Sequence, residues 1–388
     1  MKQVNCIHFN GYKPCGFSGN CDSSCEHVSI AEHRIVIVHL GALGAVLRST
    51  SILPAIRRKY KNVHITWVTD APAHLILKNN TLIDRVVTSE FSDILKLTSL
   101  KFDMAFCIDK SLKASGVLGH IKYNKIFGFK ANECTGAILP VTRAAQNLWE
   151  IGLDDHLKFN VNKKTEQQLN VEALELEPYN KDEYSYTFTD DELVTAAQRR
   201  RLWSPGGQVV VGINTGCAPT IAYKKISIKL QKIMIKKIAG LPNVKVVLLG
   251  GREDSANHIE IAQNQPGVIL SPTQEGLRDG FCSVEACDIV VSGDSFGMHM
   301  AIALKKWVVA WFGPTCDHEI ELYGRGVKLK SPLECAPCWK RNCDKLEKCN
   351  DLVDIEQILT VVKQGIKCKE KTSSFKQHLS ETPSSVSL

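Results

Sequence analysis

Apolar residues along this chain follow two rhythms. The first is a short unbroken run, rich in β-branched residues, which reads as a strand buried on both faces. "RIVIVH" (34–39) opens the series, followed by "VHITWVT" (63–69), "DRVVT" (84–88), "FDMAFCID" (102–109) and "NKIFGF" (124–129). The second rhythm is helical. Val46, Ile52, Leu53 and Ile56 in "AVLRSTSILPAIRRKY" predict a helix after the first strand. Its basic end, Arg57, Arg58 and Lys59, suits the negative end of a helix dipole.

The alternation then pauses. "KKTEQQLN" and "LEPYNKDEYSYTFTDDEL" are polar and poor in strand pattern. A second series follows: "QVVVGIN" (208–214), a lysine-rich helix over 226–239, "VKVVLLGG" (244–251), "GVIL" (267–270), "CDIVVSGD" (287–294) and "WVVAWFG" (307–313). Strands alternating with helices predict an α/β protein with parallel, doubly wound sheets, here in two halves. The expected organisation is a cysteine-rich segment at 1–30, a Rossmann-like domain at 31–177, a linker region at 178–206 and a second Rossmann-like domain with a cysteine-rich end at 207–350. A helix and an unstructured polar tail are expected at 351–388.

Composition adds little to that picture and charge somewhat more. The 388 residues are 44% hydrophobic and 23% charged, ordinary for a globular protein with a sizeable core. A formal net charge of +7 leans toward anionic partners. The first residues hold no apolar core of a secretory signal, and no run approaches the roughly 18 apolar residues of a membrane span. The expected location is therefore cytoplasmic. Fifteen cysteines in a reducing compartment point to metal before disulfides.

Several motifs fall at strand ends, where ligands bind in such sheets. "HLGALGAVLRST" (39–50) is a glycine turn, with His39, Gly41, Gly44 and Arg48 as candidate substrate contacts; its bland reading is a tight connection. "FDMAFCIDKSLKASG" (102–116) ends with Asp109, a candidate general base or a helix cap. "INTGCAPTIAYKK" (213–225) offers Thr215, Gly216 and Lys224, a cation for a departing diphosphate, whereas Lys225, Lys229, Lys232 and Lys236 read better as a solvated helix face. "LLGGRED" (248–254) places Gly251, Glu253 and Asp254 where acids bind ribose hydroxyls. "SGDSFGMHMAIAL" (292–304) is the sharpest. Asp294 and Ser295 precede a helix whose N-terminus suits an anion, and Gly297 would let a phosphate approach. The bland reading is an ordinary cap, with His299 in the core.

Cys335, Cys338, Cys343 and Cys349 are spaced CxxC-x4-C-x5-C, suited to a tetrahedral zinc or iron site. Cys6, Cys15, Cys21 and Cys25 form a looser quartet, and ligands drawn from both groups are a further arrangement. The other seven cysteines read mostly as small packed hydrophobes.

Taken in order over about residues 33–350, these motifs resemble glycosyltransferase family 9, the ADP-heptose–lipopolysaccharide heptosyltransferases. The cysteine groups look like those of members with cysteine-rich additions, including an iron-containing subset that acts on autotransporter proteins. The resemblance implies the GT-B fold, two Rossmann-like domains with parallel sheets facing an interdomain cleft. It also implies an inverting transfer that needs no metal. The acceptor, a glycolipid, glycan or protein, would bind the first domain, at the cytoplasmic face of the inner membrane. The nucleotide-diphosphate sugar would bind the second. Lys224 matches the family's phosphate lysine, two positions before Ile226, where the family usually has tryptophan. Asp294, Ser295, Gly297, Met298 and His299 match the donor loop, with Phe296 and Gly297 departing from it. Ala45 stands where many members carry the catalytic aspartate. Either Asp109 has taken over as base, or the chain binds a sugar nucleotide with little turnover. Two other classes stay open at this point: a sugar-nucleotide epimerase, and a non-enzymatic metal-dependent interaction or nucleic-acid-binding module. No nucleic-acid partner is expected, because the lysines lack interleaved aromatic residues.

Overall fold

The computed structural model describes residues 4–9, 15–17 and 21–380. The chain divides into two compact units, one closing at Thr187 and the other opening at Phe188. The first holds a six-stranded sheet: β1 (His33–Val38), β2 (Val63–Thr69), β3 (Arg85–Thr88), β4 (Lys101–Cys107), β5 (Lys122–Ala131) and β6 (Ile138–Pro140). Its spatial order is β3-β2-β1-β4-β5-β6. All neighbours run parallel except β5 and β6. β1 explains why such strands read as unbroken apolar runs. Ile35 and Ile37 join one buried cluster, and Val36 and Val38 join another. Helices therefore cover both faces.

The second unit repeats the plan with β7 (Val209–Asn214), β8 (Val244–Leu249), β9 (Ile269–Leu270), β10 (Ile289–Gly293), β11 (Trp307–Phe312) and β12 (Gly326–Lys330). Their order is β12-β11-β10-β7-β8-β9, parallel throughout. Counted from its own first strand, each sheet runs 3-2-1-4-5-6, the doubly wound order with a switch point beside the first strand. The expected α/β class with two sheets, parallel but for the β5–β6 pair, is therefore observed.

Several local features depart from the periodicity. The helix expected after β1 is broken into Leu43–Ser49 and Leu53–Lys59, with a tighter turn at Thr50–Ile52. Pro54 opens the second piece, where its missing N–H removes no bond. Within 178–206, Thr189 caps a helix at Asp190–Trp203 through a reciprocal bond with Glu192. Edge strands β6 and β12 were not foreseen. The last helix, Ile355–Ser380, places Ile358, Leu359 and Val362 in the second unit's core. It covers 373–380, where an unstructured tail was expected; 381–388 lie outside the described residues. No helix among the described residues is long and apolar enough to cross a membrane.

Candidate active site

In the first unit the switch point lies between β1 and β4, and the residues just beyond those strands meet there. Asp109 Oδ2 accepts the N–H groups of Leu40 (2.8 Å) and Gly41 (3.2 Å). The carboxylate is thus clamped to the glycine turn that follows β1. It is not a helix cap, because Ser111 caps the next helix by accepting from Ala114 N–H. A side chain at Gly41 would meet Asp109 only at 3.9 Å, so space does not demand glycine there. Gly44 lies inside the first turn of the helix Leu43–Ser49.

His39 and Arg48 are turned inward. Ser49 Oγ donates to the Ala45 carbonyl (2.7 Å) and lies 2.8 Å from His39 Nδ1. With the hydroxyl proton committed, Nδ1 carries the imidazole hydrogen. Burial lowers the His39 pKa to about 4, against the opposing fields of Asp109 and Glu166. Arg48 is buried and pairs with Glu166, which sequence spacing gave no reason to single out. Burial works to raise the Glu166 pKa, but Arg48 outweighs it and the carboxyl titrates below its ordinary range. The Cys107 thiol donates to the Asp109 carbonyl (3.4 Å) and is pushed up to about 12, chiefly by burial.

In the second unit the switch point lies between β7 and β10. Lys224 Nζ lies 2.9 Å from Asp294 Oδ2, just past the end of β10. Burial drives the Asp294 pKa up, but the charges of Lys224 and His299 outweigh it and hold the carboxyl below its usual range. β10 comes so close to this lysine that a Cβ on Gly293 would sit 1.9 Å from the Lys224 carbonyl oxygen. Position 293 therefore admits only glycine without backbone movement.

Other expected contacts take different roles. Ser295 precedes the helix Phe296–Ala303 but makes no side-chain cap. Its hydroxyl accepts from Asn214 Nδ2 (2.9 Å), which also donates to the Gly216 carbonyl (2.8 Å). At Gly297 an added Cβ would meet Asn214 Oδ1 at 2.3 Å, so packing alone already requires glycine there. Thr215 is buried, with Oγ1 2.9 Å from His258 Nε2. Asp254 is buried too, and it accepts the Gly251 N–H (3.0 Å). Its carboxylate fills the space beside Gly216, where a Cβ would lie 2.1 Å away, while Glu253 stays exposed. Met298 is fully buried and His299 nearly so. Asn214 and His258 were missed because their bonds join segments far apart in sequence.

Cys335, Cys338, Cys343 and Cys349 line one cavity of ≈ 50 Å³ with Tyr223 and Pro314. Cys349 is pushed up to about 11 by burial and by the nearby thiols of Cys338, Cys343 and Cys335. The donor set is all thiol, the chemistry zinc and iron favour. In the N-terminal quartet, Cys6 and Cys21 are buried and Cys15 and Cys25 half-buried, with Cys6 Sγ accepting the Ser29 N–H (3.4 Å). Among the described residues, no three His, Cys, Asp or Glu side chains are drawn together at ligating range. Every cysteine is unbridged.

Comparison with known proteins adds to this geometry. Residues 234–349 match the model of "Glycosyltransferase family 9 (heptosyltransferase)". Lipopolysaccharide heptosyltransferase 1 of Campylobacter coli is 24% identical over 358 residues, spanning 85% of this chain and 98% of that protein. Among solved structures, a family 9 glycosyltransferase of Veillonella parvula superposes with a TM-score of 0.69 at 17% identity, covering 87% of this chain and 98% of that one. E. coli ADP-heptose lps heptosyltransferase II gives 0.59 at 16% identity, over 87% and 99% of the two chains. The iron-containing dodecameric glycosyltransferase TibC of enterotoxigenic E. coli gives 0.52 at 12% identity, over 87% and 77%. At such identities these structures speak for the fold alone.

Proposed function

We propose that this chain is a family 9 glycosyltransferase that transfers heptose or a related sugar from a nucleotide-diphosphate sugar, by preference ADP-heptose, to a lipopolysaccharide-core or other glycan acceptor. The observation that carries this reading is the Lys224–Asp294 pair at the second unit's switch point. A lysine fixed by a buried carboxylate is a pre-placed counter-charge for a leaving diphosphate, and the helix opening at Phe296 adds a favourable dipole. The first unit supplies the base. Leu40 and Gly41 orient Asp109 through Oδ2, leaving Oδ1 to take the proton from the acceptor hydroxyl. That hydroxyl attacks the anomeric carbon from the face opposite the diphosphate, and the sugar inverts. Ala45 offers no proton acceptor, which leaves the role to Asp109. Exposed Glu253 is better placed than buried Asp254 to meet a ribose.

Cys335, Cys338, Cys343 and Cys349 would hold a zinc or iron ion whose chemistry is a structural tie for their loop. The acceptor substrate is met at the cytoplasmic face of the inner membrane, in keeping with the basic balance of the chain.

The test is transfer from ADP-heptose to a lipopolysaccharide-core acceptor by Asp109→Asn. Removal of a general base is expected to lower kcat by about 10²–10⁴-fold with ADP binding intact. Activity within a few-fold of the parent would remove Asp109 from the role.

A further inference from the structure

The cysteine loop grips the segment that bears Lys224 at three successive places. Lys348 Nζ lies 5.3 Å from the ring centre of Tyr223. Trp339 lies with its ring centre 5.4 Å from Lys224 Nζ. The Ser227 N–H donates to the Asn350 carbonyl (3.1 Å). The loop is itself fastened beyond the end of β11, where the Cys338 and Trp339 N–H groups both donate to the Pro314 carbonyl (3.1 and 2.8 Å). Trp339 has φ of 52°, a left-handed conformation that is strained for a bulky residue. The backbone at Trp339 is therefore held in that conformation by the surrounding loop.

From this geometry we propose that Trp339 is a positioning residue for Lys224, and that the four-cysteine loop is the clasp that presents it. A lysine on a four-carbon stem needs holding if it is to stand ready for an anion. A second carboxylate would hold it but would cancel the charge a diphosphate must meet. An aromatic face holds the ammonium while leaving its charge intact. With Asp294 taking one of the three N–H donors, the others remain for phosphate oxygens. The loop thereby gains a part in donor binding that a purely structural cysteine site does not have.

This inference rests on Lys224 meeting the donor diphosphate, and its test separates the two ideas. ADP binding is measured by calorimetry on the full-length protein carrying Lys224→Met, Trp339→Leu, Trp339→Phe, and Lys224→Met with Trp339→Leu together. Lys224→Met is expected to weaken ADP by at least about 10-fold, and Trp339→Leu by about 5-fold. Trp339→Phe, which keeps a ring face, stays within about 2-fold. In the Lys224→Met background, Trp339→Leu is expected to cost nothing further, because the ring acts through the lysine. A full Trp339→Leu loss in that background overturns the positioning role, as does unchanged binding in the single variant. Unchanged binding in Lys224→Met overturns the donor reading and this inference with it. If Trp339→Leu does not fold, Trp339→Met, unbranched and ring-free, takes its place in the same cycle.

Discussion

A histidine buried near carboxylates can settle as a charged partner or as a neutral one. In the first unit two histidines take the neutral course: burial brings both His39 and His64 from an ordinary 6.5 to about 4. The sign of the consequence follows. Below 6.5 the unfolded chain takes up protons that the folded one refuses, so the stability these groups give is whole above 6.5 and is lost as pH falls toward 4. Each depressed imidazole is worth about 3 kcal/mol across the window. His64 sits on β2, away from the site residues, and makes the cleaner probe. Urea unfolding followed in the first unit at pH 7 and pH 4.5 is expected to show a smaller difference in His64→Gln than in the parent, by roughly 2–3 kcal/mol. An unchanged difference would show that the imidazole is protonated in the fold.

At the scale of elements, the close passage of β10 over the Lys224 segment sets a sharp requirement. Gly293→Ala would drive a Cβ into the Lys224 carbonyl, a backbone atom that cannot swing aside. It is expected to lower the melting temperature by several degrees and to weaken ADP by about 10-fold or more, through displaced Lys224. Gly280→Ala, in a helix with nothing within 4 Å, is the control and is expected to stabilise by about 0.5–1 kcal/mol. If Gly293→Ala binds ADP and melts like the parent, the close approach is not a constraint. Elements of this kind were partly visible in the letters. The inner strands β1, β2, β4, β7, β8, β10 and β11 announce themselves because most of their residues are buried on both faces and are apolar. β6 and β12 do not, since edge strands such as "ILP" and "GVKLK" are half-buried and leave no such mark. The break at Thr50–Ile52 was hidden because apolar spacing continues through it.

The whole molecule repeats one plan, and that repetition explains which site residues a reader of the sequence can find. Asp109, Lys224 and Asp294 could be singled out as candidates because they close or follow strand runs, and strand ends are where such sheets bind ligands. Asn214, His258, Glu166 and Trp339 were not, because each acts on a partner that only folding brings near. Asp109 was found without its clamp for the same reason: its bonds to Leu40 and Gly41 span 69 and 68 residues. Lys224, Asp294 and Trp339, which are proposed to serve the donor, all lie in the second unit, which has its own sheet and buried core. A fragment of residues 188–388 is therefore expected to fold and to bind ADP within about 10-fold of the full chain, as calorimetry would show. A folded fragment that ignores ADP would mean that the nucleotide draws its contacts from both units.

The indole resting against Lys224 has one more consequence, an optical one. Its emission depends on the charges beside it, and the nearest is the ammonium that the diphosphate would engage. The chain has six tryptophans, of which Trp67 and Trp311 lie fully or almost fully inside the two sheets. Trp339 is set apart from those two by its place on the donor lysine. If the diphosphate engages Lys224 as proposed, Trp339 would be an unlabelled reporter of nucleotide arrival, built into the cysteine loop.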